Sequence, residues 1–328
     1  MAYQTGSATD IGDLVDKLFT FATGLSTTPW TEDELDTSTK LQGTLHRGDC
    51  YVTFRWDGTV EEQLGIYQSL GWVTSTDAHN MTNDSGVGDT SVPINAGRRV
   101  DFNGTGPYTA YHFFAGEGSE PYIYVVVEIS SGLFRHFGFG NLKKFGTWTG
   151  GEFAYGHVLA SFDLDNPISS GTTFLIDALP SSTADVATVH VEGLDHQGVD
   201  DKWAICCTTT RANAGDDRDG NDRIVFIGTS RSGVAYYLSS TRYTEGAALK
   251  IIAPVQVFDF NQTADPDEYM LMGEMVDIGI CNMHAFTPGQ EITVGTDTWM
   301  VFPWVRKRYE EDTAEESWNA GVAYKKVT

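Results

Sequence analysis

The stretch "AGDDRDGNDR" at residues 214–223 concentrates carboxylates as a calcium loop does, with Asp217, Asp219 and Gly220 at the third, fifth and sixth positions of an EF-hand register. The register fails at both ends. Gly215 stands at the first ligand position, and Phe226 stands where a bidentate glutamate belongs. Two readings remain: a calcium site of another kind, or a polar turn between strands.

A second candidate is "FRHFGFGNLKKFGTWTGGEFAYG", residues 134–156, where glycines surround two lysines as in a phosphate-cradling loop. Gly138, Gly140 and Gly146 do not give G-x-G-x-x-G, and neither Ser nor Thr follows Lys143 and Lys144. The stretch therefore predicts no nucleotide site. His136 and His157 bracket this block and could meet across a hairpin, yet the chain holds no H-E-x-x-H and no tight histidine pair. Cys50, Cys206, Cys207 and Cys281 have no C-x-x-C spacing and read as reduced thiols. No G-x-S-x-G elbow is present. A carboxylate pair for glycoside hydrolysis can be assembled from distant residues, and 45 acidic residues offer too many choices to name one. No catalytic residue, cofactor site or metal site is assigned. Arg47, Gly48 and Asp49 spell an integrin-type tripeptide that a chain of this length offers by chance. Asn80, Asn83, Asn103 and Asn261 begin sequons that matter only in a secreted protein.

Charge narrows the partners. With 45 acidic against 21 basic residues the net charge is -24, a field that repels nucleic acid and anionic membranes. No apolar run is long enough to span a bilayer, and the first residues lack the basic-then-apolar order of a signal peptide. The expectation is a soluble protein made in a cytoplasm.

The elements that would position these residues read as mainly β. Ile11, Leu14 and Leu18 share one face of a helix over about residues 10–23, with Asp10 or Thr9 as cap and Gly24 as stop. "TVEEQLGIYQSLGW" (59–72) is a second helix candidate, weakened by Gly65. Downstream, short runs such as "CYVTFRW", "PYIYVVVEI", "ATVHVEG", "KWAICCTTT", "DRIVFIGTS", "ALKIIAPVQVF" and "DTWMVFPWV" have strand composition and turn punctuation. The expected fold is mainly β, sandwich- or barrel-like domains of antiparallel strands behind an amphipathic N-terminal helix. Residues 76–106 read as a long loop, and residues 164–173 as a seam. The expected segments are 1–75 (helix and first strands), 76–166 (aromatic, glycine-rich β region) and 167–328 (C-terminal β domain).

In the aromatic block, "PYIYVVVEI" turns through Ser131 and Gly132 into "LFRHFGFG" as a hairpin. Phe134, His136, Phe137 and Phe139 cannot all face one core. The block therefore offers a subunit interface through Phe134, Phe137, Phe139, Phe145, Trp148 and Tyr155, beside the helix face of Ile11, Leu14 and Leu18. An internal glycine–aromatic core is the equal alternative. Arg306, Lys307 and Arg308 precede an acidic run at 310–316 and form a further interface candidate, by charge register against a neighbouring subunit.

Three strings, "TDIGDLVDKLFTFAT", "YIYVVVEISSGLFRHFGFGNLKKFGTWTGGEFAYG" and "FTPGQEITVGTDTWMVFPWVRKR…NAGVAYKKV", together resemble virion structural proteins of tailed bacteriophages, and within them proteins of the tail and baseplate region. The resemblance implies a structural, non-enzymatic role. Its implied partners are further copies of the chain, in a ring or other symmetric oligomer, and other virion proteins. Its implied location is the virion, after assembly in the host cytoplasm. A head decoration or neck protein is a variant of the same reading. A glycan-binding or glycan-cleaving β-protein, using exposed Trp and Tyr to stack on sugars, is the alternative from another class.

Overall fold

The computed structural model describes residues 2–56, 63–72, 81–84, 98–102, 106–156, 187–192, 202–206, 223–227, 252–261, 269–283, 286–304 and 320–326. In chain order the elements begin β1 (Ala2–Ala8), α1 (Ile11–Thr23), β2 (Thr31–Asp36), β3 (Gln42–Arg47), β4 (Cys50–Trp56), β5 (Gln63–Trp72), β6 (Met81–Asp84) and β7 (Arg98–Asp101). Next come β8 (Tyr108–Gly116), β9 (Tyr122–Ser130), β10 (Leu133–Asn141), β11 (Lys143–Lys144), β12 (Thr149–Tyr155), β13 (Ala187–Glu192), β14 (Lys202–Cys206) and β15 (Arg223–Ile227). The last are β16 (Ala253–Asn261), β17 (Tyr269–Asn282), β18 (Gln290–Val294), β19 (Asp297–Pro303) and β20 (Ala320–Lys326). The protein is mainly β and antiparallel, as its sequence predicts; among the described pairs only β14 with β15 runs parallel.

One sheet follows the order β1-β8-β9-β10-β12-β13-β14-β15-β16-β17-β20-β19-β18, with β11 added beside β17. The second follows β2-β3-β4-β5-β6, with β7 also on β5. The long sheet folds back so that β8, β9, β10 and β12 face β16, β17, β19 and β20. Between them lies a core containing Phe114, Tyr124, Phe134, Tyr155, Met275, Phe302 and Tyr324. The opposite face of β8–β10 packs on α1 and the second sheet, in a core containing Leu18, Phe54, Ile66, Phe113, Val125, Phe137 and Phe139. Strands β8–β10 are thus the middle layer of the molecule.

That position explains the odd composition of β10. Leu133 to Gly140 are buried without a break, which a strand achieves only when both its faces are covered. Phe134 points into one core, and Phe137 and Phe139 point into the other. Two cores rather than one accommodate the residues that no single core could hold. Gly138 supplies room: a Cβ there would lie 2.7 Å from both the Tyr124 and Tyr155 rings. Gly140 adopts φ 147°, and a Cβ there would fall 2.2 Å from the Pro121 carbonyl oxygen.

Helix α1 spans Ile11–Thr23, close to the expected 10–23. The Asp10 carboxylate accepts from the Asp13 N–H at 2.8 Å, and the Gly24 N–H donates to the Thr20 carbonyl at 3.1 Å. Its buried face includes Ile11, Leu14, Leu18 and Phe19, each contributing about 1.5–3 kcal/mol by leaving water.

Two expectations are corrected. Within the helix candidate over 59–72, Gln63–Trp72 form strand β5, paired with β4 from Tyr51↔Ser69 to Trp56↔Leu64. Leu64 and Ile66 are spaced by two and enter the same core, which is strand periodicity, and the Tyr67 ring lies 2.9 Å from where a Gly65 Cβ would stand. Within the expected loop at 76–106, β6 and β7 both pair with β5. The cores also cross the three expected segments: one joins α1 to β8–β10, and the other joins β8–β12 to β16–β20. The seam at 164–173, Asp217, Asp219, Gly220, His157, and the cluster Arg306, Lys307 and Arg308 lie outside the described residues.

Candidate functional site

The sequence leaves two places for the aromatic block, a surface for partners or an internal core. Its place is inside. Ile11, Leu14, Leu18, Phe134, Phe137, Phe139, Trp148 and Tyr155 are all buried within the chain's own two cores. The reason is the middle-layer position of β8–β10, which gives every side chain of the hairpin a neighbour from this chain. Phe145 alone among the nine interface candidates from the helix face and the aromatic block stays out, with 36 % of its surface accessible.

The polar atoms of this block form a seam between the middle layer and the C-terminal layer. In β9, the Tyr122 hydroxyl donates to Asp277 Oδ2 at 2.7 Å, and the Tyr124 hydroxyl donates to the Val276 carbonyl at 2.8 Å. In β10, His136 Nε2 lies 2.9 Å from the Pro303 carbonyl and Nδ1 lies 2.8 Å from the Tyr324 hydroxyl. A carbonyl only accepts, so Nε2 carries the proton, and in the neutral ring Nδ1 accepts from Tyr324. The His136 ring also stacks on Trp304, with centroids 4.8 Å apart. In β8, His112 Nδ1 is hydrogen-bonded to the Tyr3 hydroxyl of β1 at 2.9 Å. The Lys326 ammonium sits 4.6 Å from the centroid of that tyrosine ring and pairs with Glu291 at 2.6 Å.

The Lys143–Trp148 turn closes the seam at one end. The Phe145 N–H donates to the Met272 carbonyl at 2.7 Å, and Trp148 Nε1 donates to the same carbonyl at 3.1 Å. Lys143 pairs with Glu274 at 2.6 Å, and Lys144 lies 5.5 Å from the Trp148 ring centroid. The two lysines that could have served a phosphate are therefore held against β17 and an indole.

Burial decides the protonation of these groups. It pushes the hydroxyls of Tyr122, Tyr124, Tyr155 and Tyr324 well above their ordinary value. It lowers His136 to about 3, and together with the Lys326 charge lowers His112 to about 4. Burial likewise raises the thiols of Cys50 and Cys281. A general acid or base works best with a pKa near the working pH, and a nucleophilic thiol works as thiolate. These groups are all held neutral and away from that range. What the seam does chemically is bond one layer to another.

Among the described residues no group of three or more His, Cys, Asp or Glu is placed to hold a metal ion. Arg47 of the tripeptide donates to the carbonyls of Gly116 at 3.2 Å and Gly118 at 2.7 Å, so its guanidinium ties the β3–β4 turn to the β8–β9 turn. Trp30, Trp56, Trp148 and Trp304, which could have stacked on a sugar, are buried. No protein-family model matches the chain, and no curated protein matches it.

Sequence reasoning missed Tyr3, His112, Asp277, Tyr324 and Lys326 as members of the seam. His112 carried one usable signal. Phe114 stands two residues after it, as Phe134 stands two residues before His136, and residues two apart share a strand face, so each histidine falls beside a ring.

Proposed function

We propose that this chain is a structural component of a tailed-phage virion, in the tail or baseplate region, acting through subunit–subunit contacts. The observation that carries the reading is the seam. Its histidines and tyrosines are hydrogen-bonded between layers and held neutral by burial. Such an arrangement suits a block that must keep its shape under load. The sequence resemblance supports the same class, and so does the acidic surface, whose self-repulsion keeps subunits apart until assembly.

With the aromatic block committed to the cores, contacts between subunits fall to what remains outside. The Lys143–Gly146 turn offers Phe145 there, and Arg306, Lys307 and Arg308 remain candidates for charge register. The test is sedimentation of the purified chain from low to high salt. Screening of the negative surface strengthens self-association if apolar contacts build the oligomer. A chain that stays monomeric at every salt and binds no virion protein is not such a subunit.

A further inference from the structure

His112 and His136 lie in one row across the middle layer. Both are registered opposite Val126, His112 from β8 and His136 from β10, so the two rings flank one valine on the same face of the sheet. That face is covered by β19 and β20. The His112 ring meets Phe302 with centroids 4.7 Å apart, and the His136 ring meets Trp304 at 4.8 Å and Tyr324 at 5.9 Å. His136 accepts from Tyr324 and donates to the Pro303 carbonyl, so two of its bonds cross from the middle layer to β19 and β20.

The cations and hydroxyls around the row disfavour a second proton or are held neutral. Lys326 of β20 and Arg135 of β10 repel protonated rings, and each histidine repels the other's charge. Tyr3 of β1, Tyr124 of β9, Tyr155 of β12 and Tyr324 of β20 are hydroxyls pushed up by burial. Of the carboxylates on these strands, Glu291 of β18 is engaged by Lys326 at 2.6 Å, and Glu128 of β9, two residues from Val126, accepts from the Gly132 N–H at 2.7 Å. A protonated His136 would also lose its bond from Tyr324, because Nδ1 would no longer accept.

We propose that the His112–Val126–His136 row is a proton-operated catch. With both rings neutral it holds the β16–β20 layer against β8–β10; with both protonated that layer peels away from β8 and β10 and bares their aromatic face. The long sheet stays continuous through β12 to β16 while the catch opens, and α1 with the second sheet stays packed on the other face.

The sign follows from the depressed folded-state values. Neutral histidine is favoured in the closed state, so the closing energy is complete above the ordinary histidine range near 6.5 and is lost as pH falls from there toward about 4 and then about 3. Opening takes up two protons in the upper part of that window. The opening equilibrium should therefore rise about 100-fold per pH unit, tenfold for each proton.

Hydrogen–deuterium exchange of the full chain from pH 7.5 downward, corrected for intrinsic rates, reads this out. The expected result is that amides of β19 and β20 lose protection with that slope while α1 keeps its own. In the double variant H112N/H136Q, whose amides mimic the neutral rings, the slope should flatten. Lys326→Gln removes a charge that lowers His112 in the closed state, so the loss of protection should be smaller and should level off at a higher pH, which keeps the test available if the double variant does not fold. Loss of α1 and β20 together, an unchanged slope in a folded double variant, or an undiminished loss of protection in K326Q would each overturn the proposal.

Discussion

Tyr122 donates its hydroxyl to Asp277 at 2.7 Å, and Asp277 holds a left-handed backbone, φ 60°, in the middle of strand β17. Left-handed geometry is unfavourable for residues with a Cβ but is tolerated best by Asn and Asp. The same carboxylate lies 3.5 Å from Lys325. Asp277→Ala should therefore cost about 2–4 kcal/mol, combining the lost charged hydrogen bond with backbone strain. Asp277→Asn keeps an acceptor and the tolerance for this geometry, and should cost distinctly less. Urea denaturation of both variants measures the difference; equal losses would mean that the backbone geometry at this position carries no cost.

Space beside Gly138 makes the next prediction. A methyl at that position meets two tyrosine rings at 2.7 Å, and neither ring lies at the surface. Gly138→Ala should destabilise by about 1–3 kcal/mol, as overpacking does in well-filled cores. Thermal melts of wild type and variant read this directly, and an unchanged midpoint would place the rings elsewhere.

Burial and interface make opposite demands on Trp148 and Phe145. Trp148 belongs to the core between layers, so Trp148→Ala should cost about 3–5 kcal/mol of folding stability. Phe145 is exposed, so Phe145→Ala should change stability by no more than about 0.5 kcal/mol while weakening self-association. Denaturation and sedimentation on the same two variants separate the cases. A W148A chain that folds normally but fails to associate would return the aromatic block to the surface.

Glu117 predicts an acid step below the histidine range. The Thr27 N–H at 2.7 Å, and the Ser26 hydroxyl at 3.0 Å, donate to its carboxylate and lower it to about 2 despite some desolvation. A depressed carboxylate stabilises the fold above its ordinary value and loses that contribution as pH falls from about 4.5 toward about 2. Calorimetric melting of Glu117→Gln should give a lower midpoint than wild type at pH 7, with the two curves converging at the acid end. Parallel curves would remove Glu117 from the account.

How much of this was legible in the sequence depends on whether the deciding signal was local. Helix α1 was legible because its cap, stop and apolar face all lie within its own residues. The β9–β10 hairpin was legible for the same reason, as Ser131 and Gly132 sit between two strand-like runs. Strand β5 was not, because Gln63 to Trp72 becomes a strand by pairing with β4 and β7, and short apolar runs do not declare their period. The aromatic block showed that it needed two surfaces to cover it. Which surfaces those were depended on residues far away in the chain, Phe302 and Tyr324 on one side and Leu18, Phe54 and Ile66 on the other. Local pattern cannot separate a neighbour in the same chain from one in another subunit, since both bury the same side chain.

The proposed function makes this chain part of a virion. Mass spectrometry of phage particles purified from a lysate in which this coding sequence is expressed, joined to gold-labelled antibody against the chain in negative stain, is the decisive test. The expected result is peptides from the chain at a fixed copy number per particle and gold over the tail or baseplate. Particles that lack the chain, with the protein found only in the infected-cell lysate, would contradict it.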